Sequence, residues 1–203
     1  MSKLKTDTRS KIRDKALEMF NERGIEYVGL RELAAILDMR VSNITYYFPT
    51  KDDLVYEISM GLNQANSAVM VADDKMTVNL FIEMMYKVFQ NHVQYRCLLL
   101  SFVHIMGQNK VIASQYKNTQ NTRNKVLKAN IETLAKSGYL LLSGEKDSEF
   151  LVSCIALISR FWISEAAISF RNVKDEDQIQ YYLSMIKKIL GPYLTAKGKR
   201  EIG

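Results

Sequence analysis

The chain has 203 residues, 47% of them hydrophobic and 25% charged, which describes an ordinary globular protein long enough for a sizeable core. Two cysteines exclude a disulfide framework, and apolar runs of roughly ten residues fall short of the length that spans a bilayer. The net charge of +6 does not by itself argue for nucleic acid: residues 1–60 hold ten basic and ten acidic side chains, and the excess lies beyond them.

Residues 1–7 are polar and read as a flexible arm, with Lys3 and Lys5 able to reach a charged backbone; nothing in them resembles a secretory leader. A first helix is expected from Thr8 to Arg23, with Ile12, Ala16, Met19 and Phe20 inward and Gly24 as its stop. Leu30, Leu33, Ala34 and Leu37 recur at i, i+3, i+4 and i+7, the spacing of one helix face. A break follows at Leu37-Asp38-Met39, then a second short helix from about Arg40 to Tyr47, with Met39, Ile44 and Phe48 inward. Neither short helix buries enough surface to stand alone, and together they read as a helix-turn-helix whose second member enters a DNA major groove. Pro49 ends that helix at Phe48. Thr50 and Asp53 then have the spacing of a reciprocal cap, which starts a fourth helix running to about Val69 and seats Lys51 at its N-terminus.

Over Arg9–Leu54 the sequence resembles the DNA-binding region of the TetR/AcrR family of bacterial transcriptional regulators. Arg9, Ile12, Ala16, Phe20 and Gly24 match the family's first helix. Arg31-Glu32-Leu33-Ala34 matches the second, and Asn43, Ile44, Tyr46, Tyr47, Phe48, Pro49, Lys51 and Leu54 match the recognition helix and the start of the next. The chain departs from the pattern at the turn, where Asp38 replaces the usual Gly. Arg40 stands in place of a capping Ser, Thr45 in place of Tyr, and Val28 in place of a capping Thr, which passes that cap to Gly29. The resemblance implies an all-α protein of about nine helices. A three-helix DNA-binding head at 5–65 is joined to a helical ligand-binding and dimerisation domain at 66–195.

No proline interrupts the 142 residues between Pro49 and Pro192, and the pattern there is helical throughout. Val78, Phe81, Ile82, Met85, Val88, Phe89 and His92 line one face of a helix. A short helix over about Tyr95–Met106 is apolar nearly all round and is expected to be buried. A long helix runs from about Asn109 to Lys136 and closes at Ser137-Gly138-Tyr139. Next comes a helix over about 148–170, whose broad apolar surface includes Phe150, Leu151, Cys154, Ile155, Ile158, Phe161 and Trp162. The last, over about 176–193, carries Ile179, Tyr182, Leu183, Ile186, Ile189 and Leu190. So much apolar surface on these two helices suits burial against a second copy, and the resemblance implies the same homodimer. Residues 196–203 read as a basic, frayed tail.

The candidate DNA contacts are Arg40, Ser42, Asn43, Thr45, Tyr46 and Lys51. Asn suits adenine, Arg guanine, and Ser and Thr either bases or phosphates, whereas Tyr46 and Lys51 suit phosphate. The plain alternative is a solvated helix face. Met85, Phe89, Phe102, His104, Tyr116 and Trp162 are candidates for an apolar ligand cavity, against the alternative of simple core packing. His92, Cys97 and His104 fit no metal-ligand spacing. Asp52-Asp53 and Asp73-Asp74 read as helix starts, and two histidines supply no catalytic triad, so neither enzyme activity nor a cofactor is expected. The reading is a cytoplasmic, homodimeric regulator of transcription, acting as a repressor on a palindromic duplex operator and released by a small-molecule effector. The alternative is an all-helical protein-interaction module without DNA binding. Activation in place of repression stays open at this point, as do the operator and the effector.

Overall fold

The computed structural model describes residues 2–202, with side chains from 7 to 201. Among the described residues the chain forms eleven α-helices and one 3₁₀ turn. The eleven exceed the nine expected because one expected helix is two and the tail is itself helical. The chain divides into two compact units, Met1–Gln64 with Tyr95–Gln115, and Ala65–Gln94 with Tyr116–Gly203.

The first unit contains α1 (Ser2–Arg23), α2 (Leu30–Ile36), α3 (Val41–Tyr47) and the start of α4 (Lys51–Val69). Its core is made by Ile12, Ala16 and Phe20 of α1, Leu33 and Ala34 of α2, Ile44 of α3, Phe48, and Leu54 and Ile58 of α4, all buried. Local chemistry accounts for each break. Gly24 takes φ +92° and its N–H bonds the Phe20 carbonyl at 2.9 Å, closing α1. Gly29 is the extended N-cap of α2, as expected, and offers no side chain to it. At the end of α2 the Asp38 N–H bonds Ala35 O at 3.2 Å and the Met39 N–H bonds Ala34 O at 2.9 Å, a Schellman closure with Asp38 in the left-handed region at φ +52°. Aspartate does here what glycine usually does, at a small steric cost. The cap on α4 is reciprocal: the Thr50 N–H donates to Asp53 Oδ2 at 2.9 Å and the Asp53 N–H donates to Thr50 Oγ1 at 3.1 Å. Arg9 pairs with Glu57 at 2.9 Å and lies 5.2 Å from the Phe48 ring centroid, binding α1 to α4 and to the end of α3.

Two expectations for this unit are corrected. Residues 2–7 continue α1 instead of forming an arm; the side chains of Lys3 and Lys5 fall outside the described residues. The stretch expected as one buried helix over 95–106 is two, α6 (Arg96–Leu100) and α7 (Phe102–Gln108). Ser101 is the C-cap of one and the N-cap of the other. Cys97, Leu98, Leu99 and Ile105 are buried, but Leu100 is exposed and Val103 is 73% exposed. An all-apolar sequence is not buried on every side here because the two helices are short and pack on one face.

The second unit contains α5 (Val78–Gln94), most of α8 (Lys110–Lys136), α9 (Glu145–Ser169), α10 (Asp175–Leu190), the 3₁₀ turn Gly191–Tyr193 and α11 (Ala196–Ile202). α10 packs on α5 and α9. α8 ends in the same Schellman closure as α2, now with Gly138 at φ +75°. α9 starts at Glu145, three residues before expectation. By length and mean hydropathy (1.6) it would suffice to cross a bilayer. Instead its Leu151, Ile155, Trp162 and Ile163 are buried within this unit.

The basic tail is not frayed. α11 packs on α5, and the Asn79 N–H donates to Glu201 Oε2 at 3.1 Å. Lys197 Nζ donates to the Ser137 carbonyl at 2.8 Å and sits 3.9 Å from the Tyr139 ring centroid. Gly198 permits this approach: a β-carbon there would collide with the Tyr139 carbonyl oxygen and lie 2.8 Å from Leu194 Cδ2. Gly198→Ala is expected to destabilise the protein by about 1–3 kcal/mol, read as a lower urea midpoint. An unchanged midpoint would mean that α11 contributes nothing to the fold.

Candidate nucleic-acid interface

α3 is positioned by one fully buried residue. Ile44 points into the core, and with Phe48 it fixes which face turns outward. Ser42 and Asn43 are exposed, and Tyr46, one turn further on, is 65% exposed with its ring edge-on to Tyr47, centroids 5.0 Å apart. Arg40 is the exposed N-cap, and its carbonyl accepts the Asn43 N–H at 2.9 Å, but no side-chain hydrogen bond caps α3. Neither Ser42 nor Asp38 takes over the missing cap. Thr45 is half-buried and its hydroxyl donates to the Ser42 carbonyl at 3.4 Å. The structure therefore brings Arg40, Ser42, Asn43 and Tyr46 onto the open side of α3 and turns Thr45 partly away. The open side joins a cation, an amide, a hydroxyl and a phenol, which are groups that hydrogen-bond base edges and phosphates.

Lys51 sits apart from them. Its Nζ lies 3.4 Å from the Glu26 carbonyl oxygen and 5.9 Å from the Phe20 ring centroid. Burial lowers its pKa, while the Glu26 and Asp52 carboxylates oppose that shift. The motif located this lysine at the start of α4 but did not reveal that its ammonium is turned toward the α1–α2 turn. Two residues of that turn were missed as well. Tyr27 is an aromatic exposed at the surface of the head, and Glu26 is the partner of Lys51. A Tyr between two glycines was the available signal for the first; the second carries no local signal.

The six candidate cavity residues fall in both units. Met85, Phe89 and Trp162 are buried in the second unit, where the Phe89 and Trp162 rings stack at 4.9 Å. Tyr116 is half-buried there, its hydroxyl accepting the Arg160 Nε–H at 2.7 Å. Phe102 and His104 belong to the first unit, and His104 is exposed.

Around Trp162 lies a polar chain inside an apolar core. Trp162 Nε1–H donates to His92 Nδ1 at 3.1 Å. The neutral imidazole must then carry its proton on Nε2, which faces the Asn66 amide at 3.3 Å, and Asn66 in turn meets the Asn91 amide at 3.0 Å. The chain is self-consistent when Asn66 offers its oxygen to His92 and its NH₂ to the Asn91 oxygen. Burial, helped by the Arg123 charge, pushes the His92 pKa down to about 3. Among the described residues no group of three His, Cys, Asp or Glu side chains is placed to hold a metal.

Comparison with known proteins agrees with this geometry. A family model described as bacterial regulatory proteins of the tetR family matches residues 12–58. A second, described as a bacterial transcriptional repressor, matches residues 63–202, well over half of the chain. No curated protein sequence matches. The fold is similar to the crystal structure of a TetR-family transcriptional regulator from Marinobacter aquaeolei VT8, at 20% identity and a TM-score of 0.88, covering 95% of this chain and 94% of that one. It is also similar to a transcriptional regulator from Saccharomonospora viridis in complex with choline (16%, TM-score 0.70, covering 90% and 96%). The ketosteroid transcriptional regulator KstR2 of Mycobacterium tuberculosis resembles it at 16% identity and TM-score 0.61, covering 93% and 95%.

Proposed function

The chain belongs to the TetR family of DNA-binding bacterial transcriptional regulators, and from that premise we propose that it is a homodimeric repressor released from a palindromic operator by a small-molecule effector. The observation that carries the proposal is the open face of α3, where Arg40, Ser42, Asn43 and Tyr46 project from a helix anchored by Ile44. The repressor assignment follows the description of the model matched by residues 63–202. In this reading residues 5–65 are the DNA-binding head and 66–195 the effector and dimerisation domain, and the protein works in the cytoplasm, where its DNA is.

Two α3 helices are needed to read a two-fold site, about 34–36 Å apart along one face of the duplex. The dimer surface is assigned to α9 and α10, near residues 148–170 and 176–193. Leu157 is 57% and Ile168 75% exposed on α9, and Tyr181 and Met185 are exposed on α10. Such apolar side chains on long neighbouring helices suit an isologous contact. The effector is assigned to the second unit, around Met85, Phe89, Tyr116 and Trp162, and the choline held by the S. viridis regulator supports a small molecule in a fold of this kind. An effector that prefers a wider spacing of the heads shifts the population away from the DNA-bound form.

Replacing Tyr46 and Lys51 together by Ala is expected to weaken duplex binding. The slope of log K against log salt should become shallower by about one unit for each phosphate that the variant no longer neutralises. Sedimentation is expected to show the dimer intact. A slope equal to that of the unaltered protein would remove Lys51 from the phosphate contacts.

A further inference from the structure

We propose that the second unit binds a small organic carboxylate, with its charged end on the guanidinium of Arg160 and its apolar body among the aromatic side chains nearby. The inference rests on the reading of this unit as the effector domain and names the chemical class of the effector.

The guanidinium is already held in one orientation. Arg160 lies on α9, and its Nε–H donates to the Tyr116 hydroxyl of α8 at 2.7 Å. Its Cζ lies 5.9 Å from the Tyr116 ring centroid and 5.8 Å from that of Phe161, close enough for both rings to attract the cation. These contacts occupy Nε and set the plane of the group. The two terminal amino groups have no hydrogen-bond partner among the described residues. The side chain is half-buried, so a solute can reach them. Two parallel N–H bonds from one planar cation match the two oxygens of a carboxylate.

The charge of Arg160 is not neutralised from within. It forms no ion pair among the described residues. Glu165, the carboxylate closest to it along α9, is exposed and accepts the Ser169 hydroxyl instead. Among the described residues no carboxylate is buried. Arg123 adds a second half-buried cation, two turns after Tyr116 on the same face of α8. Two half-buried cations and no buried carboxylate give this interior a positive potential, which an anion lowers.

The surroundings suit an organic body better than an inorganic ion. Trp162, two residues after Arg160, is buried and stacks on Phe89. The hydroxyls of Ser159 and Tyr182 are shut off from solvent and have no partner among the described residues. Ser159 is one turn before Trp162 on α9, and the Tyr182 ring lies 5.4 Å from the indole. Buried hydroxyls are normally bonded. This core therefore holds more polar groups than it satisfies itself, as an apolar ligand site with a few convergent polar groups does.

The test uses matched acids and amides as probes: benzoate and benzamide, 3-phenylpropionate and its amide, hexanoate and hexanamide. Each is titrated into the full-length protein, followed by Trp162 fluorescence and by melting temperature. At least one acid is expected to bind, and its amide to bind about ten- to a hundredfold more weakly, the scale of hydrogen bonds to a charged group. Arg160→Gln should remove the advantage of the acid and leave amide binding unchanged. Arg160→Lys, which keeps the charge without the fork, should keep only part of it. Circular dichroism and sedimentation check the fold and the oligomeric state of each variant. Acids that bind no better than their amides would overturn the inference, as would an advantage retained in full by either variant. Loss of the dimer on Arg160→Gln alone would assign the side chain to a subunit contact and overturn it too. Acids that bind through Arg160 yet leave duplex affinity unchanged would uphold the site and overturn the effector reading. Amides or choline that release the duplex as well as the acids do would uphold the effector reading and overturn the carboxylate.

Discussion

Trp162→Ala is expected to cost about 3–5 kcal/mol, the range for truncating a fully buried large aromatic. Trp162 is 1% exposed, stacks on Phe89 at 4.9 Å and lies 5.4 Å from the Tyr182 ring. Its removal also leaves His92 Nδ1 without the indole N–H that satisfies it, a buried acceptor unpaired. Against a typical domain stability of about 5–15 kcal/mol, the second unit would be close to unfolding. Trp162→Phe separates the two contributions: it keeps most of the stack and removes the hydrogen bond, for about 1–2 kcal/mol. Urea unfolding followed by far-UV circular dichroism measures both, since Trp162 is the sole tryptophan and its fluorescence would vanish with it.

The same network has a pH signature. His92 titrates near 6.5 when exposed and at about 3 in the fold. Below 6.5 the unfolded chain takes up a proton that the folded chain refuses, so stability is whole above pH 6.5 and falls as pH drops toward 3. The decrease is about 1 kcal/mol per pH unit in that window. His92→Leu should flatten this part of the profile, and a profile unchanged by that substitution would show that His92 is already protonated or solvated in the folded state.

Arg40→Ala, Asn43→Ala and Tyr46→Ala combined should abolish specific DNA binding while leaving the fold intact. All three side chains are on the open side of α3 and none contributes to its core. Each good base contact discriminates by about 1–3 kcal/mol, so removing two of them together with a phosphate clamp predicts a specific affinity lower by at least about a hundredfold. Ile44→Ala would also abolish binding, but through the core, and a lowered melting temperature would distinguish the two cases.

Much of the fold is legible in the sequence because its punctuation is local. Thr50 and Asp53 cap α4 through groups three residues apart, and the Gly138 and Asp38 closures involve only the preceding turn. Ile44 and Phe48 can be assigned inward from periodicity alone. What fails depends on distant partners. Nothing near Ser101 breaks a helix by propensity, yet α6 ends and α7 begins there. α11 is ordered by Asn79, Ser137 and Tyr139, far away in the chain. Periodicity says which side of a helix is apolar but not which helices face each other. On α4 the motif supplies the identity and place of Lys51; that its ammonium donates to the main-chain carbonyl of Glu26, 25 positions earlier, carries no local signal.

The central claim is that the open face of α3 reads a duplex and that the rest of the chain holds two such helices at a fixed separation. Selection of bound duplexes from a random pool tests it most directly. The account predicts enrichment of a site with two-fold symmetry, its half-sites about one helical turn apart, and no enrichment by the Arg40, Asn43 and Tyr46 triple variant. A pool left unenriched by the unaltered protein, or the same site recovered by the triple variant, would contradict it.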